Sequence, residues 1–290
     1  MVRSLLEPIF EPLFSVFSFG FRPRRNAHQA IEALRAAHAV GFKWVVDADI
    51  QAFFDNLPHE LILNRIAERV ADGNILRIIR EFLSAGVMEG LEFRPSSSGT
   101  PQGGVISPLL ANIALDLLDQ RLTQSGWRFV RYADDFVALC RSHSQAKQAL
   151  AFVDNVLRSE LGLSLSPSKT KVVSFVEGFD FLGFHLSKRR ISIREKSIEK
   201  LKARVRLLTT RSHNLCLQVF RELNRVLLGF AHYFAAHFAS VADQFRLLDH
   251  CIRARIRSMK FKGISRGYNR RWPNKLIARL GLVSLCGLLT

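Results

Sequence analysis

The chain has 290 residues, of which 48% are hydrophobic, so it can bury one large core or two medium ones and is not a disordered tail. Its formal net charge is +17, which predicts a polyanionic partner. The four cysteines lie far apart without a CxxC pair, and no apolar run approaches the roughly 18 residues of a membrane helix. This pattern excludes a disulfide scaffold and predicts free thiols in a reducing cytoplasm, with no membrane partner.

Helices and strands alternate along the first two thirds of the chain. We predict helices over Ala27–Val40, Pro58–Val70, Ile75–Leu83, Ser107–Leu122 and Ser144–Leu161, and strands over Lys43–Ile50, Arg128–Tyr132, Phe136–Cys140, Val172–Phe175 and Phe179–Leu186. Ser107 is predicted as the N-cap of its helix, since Pro108 suits the first helical position. The strands on either side of Ala133-Asp134-Asp135 are predicted to form a hairpin.

The basic charge is concentrated at the C-terminal end. Residues 188–290 carry a net charge of +18, whereas residues 1–187 carry a net charge of −1. Beyond Ser197 the chain is predicted to be helical and basic, so we place a domain boundary at residue 187. This asymmetry favours catalysis in the first region and polyanion binding in the second over a generally basic soluble surface.

Two adjacent carboxylates, Asp134 and Asp135, occupy the tip of the predicted hairpin. Like charges repel and the flanking strands are apolar, so such a pair persists most readily where it holds a cation. Mg²⁺ takes carboxylate oxygens together with substrate phosphates, and we therefore expect this ion. The alternative is an ordinary turn, in which Asp is common.

A second acidic group follows the apolar strand that begins at Lys43. Asp47 and Asp49 point to the same face because side chains alternate along a strand. A carboxylate there that faces the hairpin pair would suit two-metal phosphoryl transfer, although a solvated strand end is the alternative. Between the two acidic groups, the glycine-rich run Gly99–Pro108 precedes a helix and favours a nucleotide or template site, but it also fits a flexible connector.

In this order, the three groups resemble the palm motifs of reverse transcriptases, most closely those encoded by group II introns. Asp47–Asp55 resembles motif A, Gly99–Asn112 resembles motif B, and Tyr132–Asp135 resembles motif C. The resemblance extends to Gly20–His28 in the fingers, Leu163–Lys171 in motif D, Gly178–Phe184 in the primer-grip hairpin and Leu228–Phe234 in the thumb and maturase region. It implies an α+β fold, in which a reverse-transcriptase palm with partial fingers is followed by an α-helical thumb and maturase region.

The resemblance also implies roles for single residues. Asp49, Asp134 and Asp135 would be catalytic and would bind two Mg²⁺ ions. The residues expected to contact the nucleotide or the template are Phe54, Pro101, Gln102, Gly103 and Lys169. The primer grip would consist of Phe181, Leu182 and Gly183. Phe54 would exclude a ribose 2′-hydroxyl by its bulk, unless it is a core phenylalanine. For Lys169 the alternative is an exposed lysine after a turn, and for the primer grip it is simple packing of the aromatic side chains.

The basic region would bind RNA. The residues assigned to RNA contact are Arg22 and Arg25 in the fingers stretch, and Lys200, Lys202, Arg204, Arg253, Arg257 and Lys260 in the basic region. A run of charge is more often a solvated face, but the net charge of +18 favours phosphate contacts. Trp272 would either stack on a base or pack inside the protein.

The expected function is RNA-directed DNA synthesis from dNTPs, on an RNA template and a DNA primer, coupled to binding and splicing of a group II intron RNA. We expect a cytoplasmic protein associated with nucleic acid, and the oligomeric state is left open. The family's fold normally begins earlier, so an N-terminally truncated copy is expected. Two alternatives are a remnant that only binds RNA and an intron-free bacterial reverse transcriptase of the defence type.

Overall fold

The computed structural model describes residues 2–85, 87–89, 92–94, 98–100 and 104–289, and for 87–89 and 92–94 it describes the backbone alone. The chain forms two compact units that divide between Phe179 and Asp180. The domain boundary predicted at residue 187 lies a few residues further on and stays a prediction. In the described ranges, no helix is long and apolar enough to cross a membrane.

The first unit is built around an antiparallel sheet. Its helices are α1 (Val2–Phe10), α2 (Ala27–Ala39), α3 (Phe53–Asn56), α4 (His59–Ala67), α5 (Gly73–Ser84), α6 (Ser107–Gln124) and α7 (His143–Val156). Its strands are β1 (Trp44–Ala48), β2 (Val87–Glu89), β3 (Glu92–Arg94), β4 (Arg128–Tyr132), β5 (Asp135–Cys140) and β6 (Lys171–Ser174). Four of the strands form one sheet in the order β4-β5-β1-β6, and β2 pairs with β3 separately.

The core of the first unit lies between this sheet and two long helices. Helix α7 packs against β1, β5 and β6, and helix α6 packs against β4, α4 and α7. Helix α6 is buried on nearly all sides, as expected for a helix whose apolar residues are not confined to one stripe. The sheet and α6 thus form a rigid base for any residue placed at their ends.

Three local predictions in the first unit are corrected by the structure. Ser107 is the first residue of α6 and not its N-cap, because Ile106 already has helical backbone angles and takes the cap position. The helix predicted over Ser144–Leu161 is α-helical only to Val156 and continues as a π-helical turn, which Gly162 ends with a φ of 67°. Asp135 belongs to β5, so the turn of the hairpin contains only two residues.

The second unit, Asp180–Thr290, is mainly helical. Its helices are α8 (Glu195–Leu208), α9 (Leu217–Phe234), α10 (Ala242–Phe261), α11 (Tyr268–Arg271) and α12 (Asn274–Arg279). The three-stranded sheet at its beginning consists of β7 (Phe179–Phe181), β8 (Phe184–Leu186) and β9 (Ile191–Ile193). The single strand predicted over Phe179–Leu186 is therefore two strands joined by a tight turn. Helices α8, α9 and α10 pack together through their apolar faces.

Candidate active site

Three carboxylates are brought to one end of the central sheet. Strands β1 and β5 pair in antiparallel register, and their last pair joins Ala48 to Phe136. Continuing this register by one residue puts Asp49 opposite Asp135, and facing residues of antiparallel strands have their Cα atoms about 5 Å apart. Asp134 lies in the turn between β4 and β5. The three aspartates predicted as catalytic therefore lie at the same end of the sheet.

Burial and the charges of other groups shift the pKa of the Asp134 carboxyl. Burial raises the pKa of its carboxyl, and the negative charge of Asp49 raises this pKa further. The backbone N–H of Asp134 itself, together with Arg131 and Lys169, lowers the pKa. Asp49 and Asp134 thus repel each other, and a cation between them would relieve that repulsion.

Asp47 adds a further carboxylate next to this group. Burial raises its pKa to about 6, the ammonium of Lys171 opposes the shift, and the charges of Asp135 and Asp49 add to it. The Nζ atom of Lys171 lies 3.7 Å from Oδ2 of Asp47. Lysine from β6 therefore neutralises part of the acidic charge on this side of the sheet.

The chemistry of these donors fits Mg²⁺. In the part of the chain that the structure describes, no three side chains of His, Cys, Asp or Glu lie close enough together to hold one metal ion. Mg²⁺ does not require such a cage, because it is held by one or two carboxylates and completes its shell with water and substrate phosphates. Asp49 and Asp134, which lie at the same end of the sheet, provide two carboxylates of this kind.

The loop that resembles motif D is bonded to the residue at the end of β1. The N–H of Ser166 donates to the carbonyl of Asp49 at 2.7 Å, and the N–H of Asp49 donates to Oγ1 of Thr170 at 3.3 Å. The Nζ atom of Lys169 lies 3.2 Å from Oδ2 of Asp49. Because the side chain of Lys169 is 69% exposed, this ion pair is weak and the lysine can move to a phosphate.

Phe54 lies half-buried on α3, and the beginning of the glycine-rich run is held against it. The N–H of Thr100 donates to the carbonyl of Phe54 at 2.7 Å. A Cβ atom on Gly99 would lie 2.5 Å from the same carbonyl oxygen, and Gly99 has a φ of 87°, so this approach requires glycine. The ring of Phe54 contacts Phe53 edge to face, at 5.1 Å between centroids. Pro101, Gln102 and Gly103 lie outside the described residues.

Helix α6 carries a buried polar stripe that the sequence analysis missed. Asn112, Asp116 and Asp119 are spaced as i, i+4 and i+7, and each is at most 4% exposed. The guanidinium of Arg131 donates to both carboxylate oxygens of Asp119, at 2.8 and 2.5 Å, and to Oδ1 of Asn112 at 2.8 Å. Arg65 donates to Asp116 at 3.2 Å. Polar residues at this spacing in an otherwise apolar helix were the available signal.

The turn predicted as the primer grip is well defined within the second unit. Leu182 and Gly183 both have a positive φ, 47° and 83°, as a two-residue hairpin turn of type I′ requires. The hydroxyl of Tyr233 on α9 donates to the carbonyl of Leu182 at 2.8 Å, and the N–H of Arg194 donates to the carbonyl of Gly183 at 3.0 Å. These contacts stabilise a leucine in a conformation that glycine normally takes. Phe181, the residue before this turn, is buried, and its role in a primer grip stays a prediction.

The residues predicted to bind RNA divide into exposed and internal ones. Lys200 and Arg204, on one face of α8, and Lys260 on α10 are exposed. Lys196, one turn before Lys200 and also exposed, extends this row and was missed, although its i, i+4 spacing is visible in the sequence. Arg25 donates to the carbonyl of Val16. Lys202 pairs with Glu199 at 2.7 Å, and Arg253 pairs with Asp249 at 3.7 Å.

Two of the predicted RNA contacts are arginines that bond inside their own unit. Arg22 is 8% exposed and donates to both carboxylate oxygens of Glu11 and to three backbone carbonyls. Arg257 is 5% exposed and donates to the carbonyl of Trp272 at 2.8 Å and to Asn274 at 2.6 Å. Trp272 itself is buried. We therefore base the RNA-binding proposal on the exposed cations and not on these two.

Comparison with known proteins agrees with both units. Residues 1–186 match the family of reverse transcriptases (RNA-dependent DNA polymerases), and residues 198–276 match the maturase-specific domain of group II introns. Protein YkfC of Escherichia coli K12 is 31% identical over 223 residues, covering 64% of this chain and 58% of YkfC. The group II intron-encoded protein LtrA of Lactococcus lactis is 41% identical over 130 residues, covering 45% of this chain and 22% of LtrA. The chain thus spans less than two thirds of the length of either relative.

Solved structures of telomerase share the fold. Apo telomerase from Candida tropicalis superimposes with a TM-score of 0.54 at 11% identity, covering 96% of this chain and 58% of the telomerase. Telomerase from Candida albicans in complex with a fragment of telomeric RNA superimposes with a TM-score of 0.51 at 14% identity, covering 99% of this chain and 55% of that telomerase. At such low identity the likeness concerns the fold alone, a mixed α/β reverse-transcriptase fold with a helical C-terminal region. The chain belongs to the group II intron reverse transcriptase and maturase family.

Proposed function

We propose that the protein is an RNA-directed DNA polymerase of the group II intron type, which adds dNTPs to the 3′-hydroxyl of a DNA primer on an RNA template. The observation that carries this proposal is the position of Asp49, Asp134 and Asp135 at one end of the central sheet. Two predicted substrate contacts are held next to it, since Lys169 pairs with Asp49 and Phe54 follows on the next short helix.

The residues of the site have distinct tasks in this reaction. Asp49, Asp134 and Asp135 would hold two Mg²⁺ ions, which when bound stabilise the attacking and leaving oxygens of an in-line displacement. Lys169 provides a mobile cation for the phosphates of the incoming nucleotide. Phe54 limits the space beside the sugar and so favours deoxynucleotides. The partial burial of Asp134 strengthens these charge interactions relative to water.

Primer extension on an RNA template with dNTPs and Mg²⁺ tests the proposal. We expect synthesis by the wild-type chain and none by Asp134→Ala. The matched control is Asp154→Ala, because Asp154 on α7 pairs only with the exposed Arg158 just after this helix among the contacts described, and its loss leaves the three aspartates of the site intact. If the folded wild-type chain makes no DNA, the polymerase proposal is wrong and the RNA-binding remnant becomes the better account.

We infer further that the second unit binds intron RNA and assists its splicing. The inference is supported by the match of residues 198–276 to the maturase-specific domain, by the net charge of +18 after residue 187, and by the exposed row of Lys196, Lys200 and Arg204 on α8. The same match favours the intron lineage over an intron-free bacterial reverse transcriptase. A protein associated with intron RNA in the cytoplasm is part of this proposal.

The salt dependence of RNA binding tests the exposed row. Replacing Lys200 and Arg204 with Gln is expected to reduce the slope of log K against log salt by about 1.5, since each lost phosphate contact removes about 0.7–0.9. The double variant of Lys147 and Arg158, two exposed cations on and after α7, removes the same charge from the first unit and should leave the slope nearly unchanged. Equal effects of the two double variants would show that net charge alone governs binding.

A further inference from the structure

A buried arginine lies two residues before the turn that carries Asp134. The side chain of Arg131, on β4, is 0% exposed, as is that of its partner Asp119. Besides its bonds to Asp119 and Asn112, the Nη1 atom of Arg131 donates to the carbonyl of Ala133 at 2.9 Å. The guanidinium therefore connects buried side chains of α6 to the backbone of the turn.

The same turn is held from its other side by the segment before α2. The N–H of Arg131 donates to the carbonyl of Phe17 at 2.9 Å, and the N–H of Phe19 donates to the carbonyl of Arg131 at 2.8 Å. Asn112, which accepts from Arg131, donates to the carbonyl of Gly20 at 2.8 Å. A Cβ atom on Gly20 would lie only 2.2 Å from the backbone nitrogen of Ala133. Three segments of the chain thus meet at this turn.

Stability alone does not account for this arrangement. Taking an arginine and an aspartate out of water is expensive, and well-packed apolar side chains of similar volume often stabilise a fold equally well. The arrangement does specify the position of one peptide group. The carbonyl of Ala133 accepts from Arg131, and the N–H of that same peptide group belongs to Asp134. Because a peptide group is planar, the bond from Arg131 also sets the direction in which the backbone enters Asp134.

We propose that Arg131 is a positioning residue for the divalent cation site, because it orients the peptide group between Ala133 and Asp134 and thereby the carboxylate of Asp134. Asn112 and Asp119 hold the guanidinium in place from α6. This inference rests on the proposed function, in which Asp134 holds a cation. Groups that orient a metal ligand from behind usually change metal affinity tenfold to a hundredfold when they are replaced.

The test compares two arginines that each bond an aspartate of α6. Arg131→Lys keeps the charge but cannot reach Asp119, Asn112 and Ala133 together. Arg65→Lys is the matched control, because Arg65 bonds Asp116 and has no bond to the turn among those described. Mn²⁺ binding to the full chain is measured by the electron paramagnetic resonance of free Mn²⁺, in conditions where urea unfolding shows each variant to be folded.

We expect Arg131→Lys to weaken the Asp134-dependent binding of Mn²⁺ by about tenfold or more, and Arg65→Lys to leave it within about twofold. If Arg131→Lys does not fold, Asn112→Ala takes its place, since it removes one bond to the guanidinium and the bond to Gly20. Equal Mn²⁺ affinity in the folded Arg131 or Asn112 variant and the wild type would overturn the inference.

Primer extension by the same preparations separates the two levels of failure. If the wild-type chain synthesises DNA and the Arg131 variant has unchanged Mn²⁺ affinity and Mg²⁺ requirement, the inference fails and the proposed function stands. If the wild-type chain neither synthesises DNA nor shows a Mn²⁺ site that Asp134→Ala removes, both fail. A raised Mg²⁺ requirement for extension, parallel to the loss of Mn²⁺ affinity, supports both.

Discussion

A methyl group on Gly20 has no space in this fold. Its carbon would lie 2.2 Å from the nitrogen of Ala133 and 2.8 Å from the carbonyl carbon of Tyr132, whereas ordinary contact begins at 3.4 Å. Both neighbours are backbone atoms, so rotation of a side chain cannot relieve the clash. Gly20→Ala therefore has to displace either its own segment or the turn that contains Asp134. The displacement is about 1 Å, which is the difference between the 2.2 Å approach and the 3.4 Å of ordinary contact.

The expected consequences of this displacement differ in size. Overpacking of a well-packed site typically lowers the free energy of unfolding by about 1–3 kcal/mol. A misplacement of about 1 Å at a catalytic group lowers the reaction rate by about a hundredfold. We therefore expect Gly20→Ala to remain largely folded while its rate of DNA synthesis falls by about two orders of magnitude.

Urea unfolding and primer extension on an RNA template measure the two effects in one preparation. Gly73→Ala is the matched control, because Gly73 begins α5 and no heavy atom lies within 4 Å of the added carbon. This control should keep its activity, and its stability should be unchanged or higher. A Gly20→Ala variant that is folded and extends primers at the wild-type rate would refute the argument that this turn positions Asp134.

Three further predictions concern single side chains. Phe54→Ala should raise the kcat/KM for ribonucleotides relative to deoxynucleotides by about tenfold to a hundredfold, and an unchanged ratio would show a core role instead. Burial raises the pKa of Asp116 from 3.8 to about 6, so the folded chain binds more protons between these values. Acidification from pH 7 to pH 5 should therefore increase the free energy of unfolding of the wild type, relative to Asp116→Asn, by about 1 kcal/mol in urea titrations, and a constant difference would contradict this. Arg257→Gln loses bonds to Trp272 and Asn274 and should destabilise the chain by about 1–3 kcal/mol without changing the salt slope of RNA binding; a lower slope at equal stability would contradict this.

The sequence was sufficient for elements whose local pattern and tertiary environment agree. The β-branched and aromatic residues of β1 predicted a strand, and Trp44–Ala48 is one. The apolar spacing in α2 predicted a helix, and Asn26 and Gln29 form a capping box at its start. The hairpin formed by β4 and β5 was expected from two β-prone runs around a short acidic turn. These features depend on neighbours in sequence, which pattern analysis reads directly.

Other features depend on contacts between distant segments and were not predictable in the same way. Leu182 has a left-handed backbone because Tyr233, 51 residues away, bonds its carbonyl. Arg22 and Arg257 contribute to the basic charge, yet each bonds inside its own unit. Charge alone does not distinguish such arginines from an exposed one, such as Arg204, because burial is decided by tertiary packing.

The candidate site shows the same division. The resemblance to the family's motifs identified Asp49, Asp134 and Asp135, and the register of β1 and β5 brings them to one end of the sheet. Arg131 and Asn112, which hold the adjacent turn, were not singled out, because a polar residue in an apolar helix has no evident role until its partner is known. The catalytic role of the three aspartates and the positioning role of Arg131 are predictions that metal binding tests.

The measurement that tests the central claim most directly is Fe²⁺-mediated cleavage of the polypeptide. Fe²⁺ takes the place of Mg²⁺ at carboxylate sites and, with ascorbate and peroxide, cuts the backbone next to its ligands. If Asp49, Asp134 and Asp135 form one cation site, the chain should be cut near Asp49 and near Asp134 together, Mg²⁺ should suppress both cuts, and Asp134→Ala should lack both. Cleavage at only one of these segments, or cleavage that Asp134→Ala leaves unchanged, would contradict the account.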